Sequence, residues 1–220
     1  MSYLVNLAIN GRLAVVIGAG EVAARKIQDL LEAGASVTVV APHACDLITA
    51  LAQAGRIQAH LRPYAKADLA GAFVAVVATD DEEVNARVAA DAAATNVLVN
   101  VVDRPALCTF TVPATVRRGD LTLAVATEGR CPALAGILRE ELEMRYGAEY
   151  AELVTLFGDL RQYMIAQAWN GQRIRETLTR MYQDGVTKLI AAGDRPVLDD
   201  FLRSRLGATV PPLLPPSPLK

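Results

Sequence analysis

Over the first hundred residues, short unbroken apolar runs take turns with longer stretches whose apolar positions recur every three or four residues. The unbroken runs are Leu13-Ala14-Val15-Val16-Ile17, Val37-Thr38-Val39-Val40, Phe73-Val74-Ala75-Val76-Val77-Ala78 and Val97-Leu98-Val99-Asn100-Val101-Val102, with a shorter one from Ile57 to Leu61. Runs of this kind predict strands covered on both faces. Between them, Val22, Ile27, Leu30 and Leu31 share one helical face. Cys45 to Ala54 predicts a short helix, and Val84, Val88 and Ala92 line the inward face of another that runs to about Ala94. Strands and helices in such alternation predict an α/β fold: a Rossmann-like, doubly wound parallel sheet. In the lead-in, Leu4, Val5, Leu7 and Ile9 are expected to pack on the first strand.

The texture changes beyond Asp103. Cys108-Thr109-Phe110-Thr111-Val112 and Leu121 to Ala126 read as strands, with a turn at Arg117-Arg118-Gly119-Asp120 between them. Pro132 stands in the first turn of a helix expected from Ala133 to about Tyr146. From Glu149 to Leu206 the pattern is helical throughout. One stripe runs Leu153, Leu156, Phe157, Leu160 and Met164, a second Ile174, Leu178, Met181 and Tyr182, and a third Val197, Leu198, Phe201 and Leu202. These stripes predict a helical core. The five prolines between Pro211 and Lys220 exclude a helix or central strand and predict a disordered tail. There is no internal repeat.

The segment Arg12 to Ala41 carries the first chemistry. Gly18-Ala19-Gly20-Glu21-Val22-Ala23 has the form G-x-G-x-x-A, placed between a strand and a helix, and a second strand follows. Gly18 allows a tight turn, Gly20 lets backbone approach a pyrophosphate, and Ala23 lets helix pack on strand. The pyrophosphate would sit at the helix N-terminus, where unpaired N–H groups favour an anion. An acidic residue that would bind a ribose 2′-OH is missing after the second strand, which ends in Val40-Ala41-Pro42-His43. NAD and NADP are therefore not separable at that position.

Ligands of open α/β sheets collect at the carboxyl ends of the strands. Three polar groups are expected there: the glycine loop, Thr79-Asp80-Asp81, and Asp103. Thr79-Asp80-Asp81 also suits a helix N-cap, and a cap beside a nucleotide could serve both ends. Asp103 could accept a proton while hydride leaves a substrate carbon for a nicotinamide, or could cap a turn. Cys131, just before a helix, is a stabilised thiolate or a small packing residue. Arg104, Arg117, Arg118, Arg130 and Arg139 are carboxylate binders for an anionic substrate or a solvated surface. Asp120, Glu128, Glu140 and Glu141 roughly balance them.

Composition removes several alternatives. A net charge of −2 gives no sign of nucleic-acid binding, and no apolar run approaches a membrane span. The N-terminus does not look like a signal peptide, so a cytoplasmic location is expected. Three scattered cysteines and two histidines offer neither a disulfide framework nor a histidine-rich metal cage, and no resident metal is expected.

Taken together, several motifs resemble the precorrin-2 dehydrogenase/sirohydrochlorin ferrochelatase family, the N-terminal half of siroheme synthase and its free-standing relatives. They are Gly11-Arg12, Val16 to Lys26, Ala33 to Pro42, Ala78 to Asp81 with Asn85, and Val99 to Pro105. Phe110, Pro113-Ala114, Arg118-Gly119, Thr127 to Pro132, Leu134-Ala135 and Arg139 complete the set. The resemblance implies NAD-dependent oxidation of precorrin-2 to sirohydrochlorin, on the route to siroheme or cobalamin-type rings. Some members also insert ferrous iron, so sirohydrochlorin with Fe²⁺ or Co²⁺ is a second candidate substrate pair. It implies a homodimer made by the segment after Asp103 reaching across to a partner.

On the resemblance, Asp103 matches the catalytic aspartate. Gly18, Ala19, Gly20, Glu21, Val22, Ala41, Pro42, Thr79 and Asp80 are expected around the cofactor, and Arg104, Arg118, Arg130, Cys131 and Arg139 around the tetrapyrrole. The missing acid after the second strand is normal for this family. Family members commonly carry a serine where this chain has Cys131, which bears on chelation and not on dehydrogenation. The expected division is an NAD-binding domain at 1–106, a dimerisation segment at 107–147, a helical domain at 148–208 and a tail at 209–220. The chain is too short to add a methyltransferase module, so no methylation is expected. A different class, an NAD-sensing regulatory module without catalysis, would leave Asn100 to Pro105 without a task.

Overall fold

The computed structural model describes residues 3–207, which fall into two compact units divided between Val112 and Pro113. The proline-rich tail lies outside the described residues.

The first unit is built on β1 (Leu13–Ile17), which is flanked by β2 (Ser36–Ala41) and β4 (Val74–Val77); β3 (Gln58–Leu61) and β5 (Leu98–Val101) form the two margins. All pairings are parallel, in the order β3-β2-β1-β4-β5. The expected doubly wound sheet is therefore present. Alternation along each strand sends side chains to two separate cores. Ala14, Val16, Val37 and Val39 meet Ala23, Ala24 and Ile27 of α1 (Glu21–Glu32) and Ile48 of α2 (Asp46–Gln53). Val15, Ile17, Ala75, Val77 and Val99 face Val88 and Ala92 of α3 (Glu82–Thr95). With helices on both faces, uninterrupted apolar strands are the only ones that fit, which is why the sequence reads as it does.

Three expectations need correction. Leu4, Val5 and Leu7 are exposed, and only Ile9 of the lead-in packs on the core. Val22 is exposed too; the inward face of α1 is made by Ala23, Ala24 and Ile27. Residues 108–112 are not a strand. They run beside β5, where the Thr109 N–H donates to the Val99 carbonyl at 2.8 Å, but side chains replace the rest of the ladder: the Val99 N–H donates to Thr109 Oγ1 at 2.7 Å and the Asn100 side-chain amide to the Phe110 carbonyl at 3.1 Å.

The second unit opens with an antiparallel hairpin, β6 (Ala114–Arg118) and β7 (Leu121–Val125), which packs against α4 (Pro132–Arg145) and α5 (Glu149–Ala166). α5 then packs with α6 (Gly171–Gln183), α7 (Val186–Ala192) and α8 (Arg195–Leu206). Their core holds Leu153, Leu156, Leu160, Met164, Ile174, Met181, Leu198 and Leu202, as the stripes predict. Tyr182 and Val197, expected in the stripes, are exposed. The Tyr182 hydroxyl lies 2.9 Å from that of Tyr150, and this hydrogen bond with partial burial pushes the Tyr150 phenol up to about 12. The Arg195 guanidinium donates to the Glu152 carboxylate, which ties α8 to α5. No described helix is long and apolar enough to cross a membrane.

Candidate active site

The glycine loop sits where β1 meets its two neighbours. The Gly18 N–H donates to the Val40 carbonyl at 3.0 Å, and the Ala78 N–H donates to the Ile17 carbonyl at 2.8 Å. Gly18 has φ +105°, and a Cβ there would stand 2.2 Å from the Ala78 carbonyl oxygen. Only glycine satisfies both conditions. Ala19 is buried, and its carbonyl accepts from the Cys45 N–H at 2.9 Å.

Gly20 differs. It caps α1 in extended conformation with no side-chain hydrogen bond, and a Cβ on it would meet nothing within 4 Å. The space in front of α1 is thus open, and the N–H groups of its first turn have no intrahelical partner. That pairing of open space and free donors fits a nucleotide pyrophosphate. Glu21 and Val22 form the rim of this opening, and the end of β2 supplies buried Ala41 and exposed Pro42.

At the end of β4 the cap reading holds. Asp81 caps α3 and accepts from the Glu83 and Val84 N–H groups, each at 3.0 Å. The Thr79 hydroxyl donates to Asn85 Oδ1 at 2.9 Å, and the Asn85 amide donates back to the Thr79 carbonyl at 3.1 Å. Asn85 is 4% exposed, so this reciprocal pair fixes the β4–α3 corner and leaves Asp80 on the surface. Nothing in the helical periodicity distinguishes Asn85; the family resemblance alone pointed to it.

Asp103 occupies the turn after β5 in the left-handed region, with φ +58°. That turn is clamped from behind. The Val101 N–H donates to Cys108 Sγ at 3.2 Å, and the Cys108 thiol lies 3.2 Å from the Val101 carbonyl and 3.4 Å from that of Arg104. The Arg104 guanidinium reaches Glu82 in the first turn of α3 at 2.5 Å. Asp103 itself is exposed and none of the described hydrogen bonds or ion pairs engages its carboxylate. It opens onto a cavity of about 710 Å³ shared with Val22, Arg25, Lys26 and Asp29 of α1. The first turn of α1 and Asp103, eighty residues apart, therefore border one space.

The remaining residues with an expected substrate role lie in the second unit. Arg118 is half-buried and donates to the Tyr146 carbonyl at 2.8 Å, the Glu143 carbonyl at 3.1 Å and the Arg117 carbonyl at 2.9 Å. Arg139 pairs with Glu143 at 2.6 Å and Glu140 at 3.1 Å. Arg130 and Cys131 are exposed, and the Cys131 N–H donates to Thr127 Oγ1 at 3.3 Å. Among the described residues, no cluster of three or more His, Cys, Asp or Glu could hold a metal ion.

A family model described as NAD(P)-binding matches residues 5–114. The chain is 37% identical over 206 residues to the siroheme synthase of Stutzerimonas stutzeri (strain A1501), covering 94% of the chain and 44% of the relative. It is 45% identical over 129 residues to the siroheme synthase of Pseudoalteromonas atlantica, covering 59% of the chain and 28% of the relative. The chain thus spans less than half the length of the siroheme synthases it matches. Among solved structures, SirC, a precorrin-2 dehydrogenase, superposes with a TM-score of 0.73 at 28% identity, covering 92% of this chain and 98% of that one.

Proposed function

We propose that this chain, which belongs to the precorrin-2 dehydrogenase family of NAD(P)-binding proteins, oxidises precorrin-2 to sirohydrochlorin in the formation of siroheme-type rings. One observation carries the reading: an unengaged carboxylate, Asp103, borders the same cavity as the first turn of the helix behind an open glycine loop. A bound nicotinamide dinucleotide supplies a hydride acceptor. The residues around it divide the remaining work. Gly18, Ala19 and Gly20 keep the space before α1 clear, the α1 amides, with Glu21 and Val22 at the rim, face the pyrophosphate, and Ala41, Pro42, Thr79 and Asp80 border the nucleoside portion. Asp103 takes the proton that leaves as hydride departs from the ring, so that precorrin-2 and NAD⁺ give sirohydrochlorin, NADH and a proton. The clamp on residues 101–104 fixes the backbone from which that carboxylate projects. Arg104, Arg118, Arg130, Cys131 and Arg139 are assigned to the tetrapyrrole side, Arg118 and Arg139 partly through the segments they tie down.

NAD is the dinucleotide in this reading on the family resemblance, since Val40 to Cys45 offers neither a carboxylate for a ribose 2′-OH nor an Arg or Lys for a 2′-phosphate. The protein is assigned to the cytoplasm and to a homodimer. In support, α4 exposes Leu134, Ile137 and Met144 at 44%, 54% and 80%. Insertion of Fe²⁺ into sirohydrochlorin is proposed as a second activity, with the metal as substrate.

Anaerobic mixing with precorrin-2 and NAD tests the first activity: the sirohydrochlorin spectrum should appear together with NADH. NAD binding without turnover of any tetrapyrrole would replace this reading with that of a regulatory nucleotide sensor. Sirohydrochlorin supplied with Fe²⁺ or Co²⁺ tests the second activity, and insertion no faster than in buffer would remove it.

A further inference from the structure

We infer that Arg25, on the second turn of α1, is the residue that seats a substrate carboxylate beside Asp103 and so sets which face of the ring meets the cofactor. The inference rests on the dehydrogenase reading above. It follows from the charges around the cavity. Arg104 is engaged by Glu82 at 2.5 Å, and Lys26 leans on Asp29 at 3.8 Å. Arg25 is exposed, lines the cavity, and takes part in none of the described hydrogen bonds or ion pairs. The cavity therefore presents one unengaged carboxylate, Asp103, and one unengaged cation, Arg25. A guanidinium offers a planar fork that binds carboxylate in two parallel hydrogen bonds, which fixes orientation as well as affinity. A macrocycle carrying several peripheral carboxylates suits that fork.

Arg25 follows Val22 by three residues, so the helix whose first turn faces the cofactor also carries the substrate anchor. Two ligands held by one rigid helix keep a fixed register, which is the positional requirement of hydride transfer. The pyrophosphate has the first-turn amides, so it makes no demand on this side chain.

The test compares full-length wild type, Arg25→Gln and Arg25→Lys with precorrin-2 and NAD. In Arg25→Gln the KM for precorrin-2 should rise about tenfold or more, the size expected for a lost charge-assisted hydrogen bond, with a smaller change in kcat. The NAD Kd and melting temperature should not move, and Arg25→Lys should recover part of the loss. The decline of kcat/KM with added salt should also be shallower in Arg25→Gln. An unchanged precorrin-2 KM while the wild type turns over would remove Arg25 from this role. A weakened NAD Kd would place it on the cofactor, and dissociation of a dimer would place it in an interface; either result overturns the inference. If the wild type does not oxidise precorrin-2, the dehydrogenase reading fails first and Arg25 falls with it.

Discussion

Gly18 and Gly20 stand two residues apart and are required for opposite reasons. At Gly18 a methyl group would collide with the Ala78 carbonyl, and the backbone is left-handed. Gly18→Ala should therefore destabilise the fold by more than about 1 kcal/mol, read as a lowered midpoint in denaturant. At Gly20 the backbone is one that alanine adopts freely and its Cβ meets only open space. Gly20→Ala should melt within a degree or two of wild type, about the effect of 0.5 kcal/mol or less, yet bind NAD measurably more weakly. If both variants lost only stability, the open space would not be the cofactor's.

Asp103→Asn should lower the dehydrogenase rate by about 10²- to 10⁴-fold with the NAD Kd unchanged; normal turnover would end its assignment as the proton acceptor. Asp68 supplies a separate pH signature. It accepts from Arg62 at 2.5 and 2.8 Å and from the Ala65 N–H at 2.8 Å, and the hydrogen bond to Arg62 is the main reason its carboxyl lies below the usual range. A depressed folded-state value means that this contribution is complete above the unfolded value near 4 and disappears as pH falls through the folded one. Asp68→Asn should cost about 1 kcal/mol or less at neutral pH, since Arg62 is partly exposed, and the gap from wild type should close in acid. A gap that stays constant down to pH 3 would exclude the pair as its source.

These single positions were unequally legible. Gly18, Gly20 and Asp103 announce themselves by spacing from the ends of apolar runs. Arg25 does not, because periodicity shows which helical face is apolar but not which flank of the polar remainder borders a cavity. Arg104 reads as a free cation until α3 brings Glu82 to it.

The strands and helices of the first unit are the most legible part of the chain. A parallel sheet buried on both faces leaves its strands no polar positions, so the runs over 13–17, 37–40 and 73–78 needed no context. Residues 108–112 show where that logic stops. Their apolar content is that of a strand, yet Thr109 inserts its hydroxyl into the place a ladder carbonyl would take, and Cys108 turns its sulfur back onto Val101. Side-chain bonds of this sort are set by partners seven and ten residues away and leave no period in the sequence. The helical stripes match the core where the stripe residues one turn to either side are buried with them, as at Leu156 and Leu160 between Leu153 and Met164. At Tyr182 and Val197 the stripe continues past the edge of the packed surface.

The division between Val112 and Pro113 separates a unit that holds the glycine loop and Asp103 from one whose α4 exposes an apolar stripe. Leu134, Ile137 and Met144 recur on one side of α4 at helical spacing, outside the core of their own unit. If that stripe is a dimer contact, Ile137→Asp should convert the protein to monomer in sedimentation or light scattering without unfolding it. An unchanged mass would send the search for the interface elsewhere. The sequence could flag those residues as apolar but could not say whether another part of the same chain would cover them.

The strap beside β5 has a consequence for how copies of this protein can meet. A sheet margin is a template for any passing strand, and the larger sheet has two. At β5 the outward groups of Val99 and Val101 are already taken up by Thr109 and Cys108, so strand addition there is blocked chemically and not only by bulk. At the other margin β3 is four residues long, mostly solvated, and followed by Arg62. Edge-to-edge growth of the large sheet is thereby discouraged at both ends, so neither margin offers a second copy a ready template for strand addition.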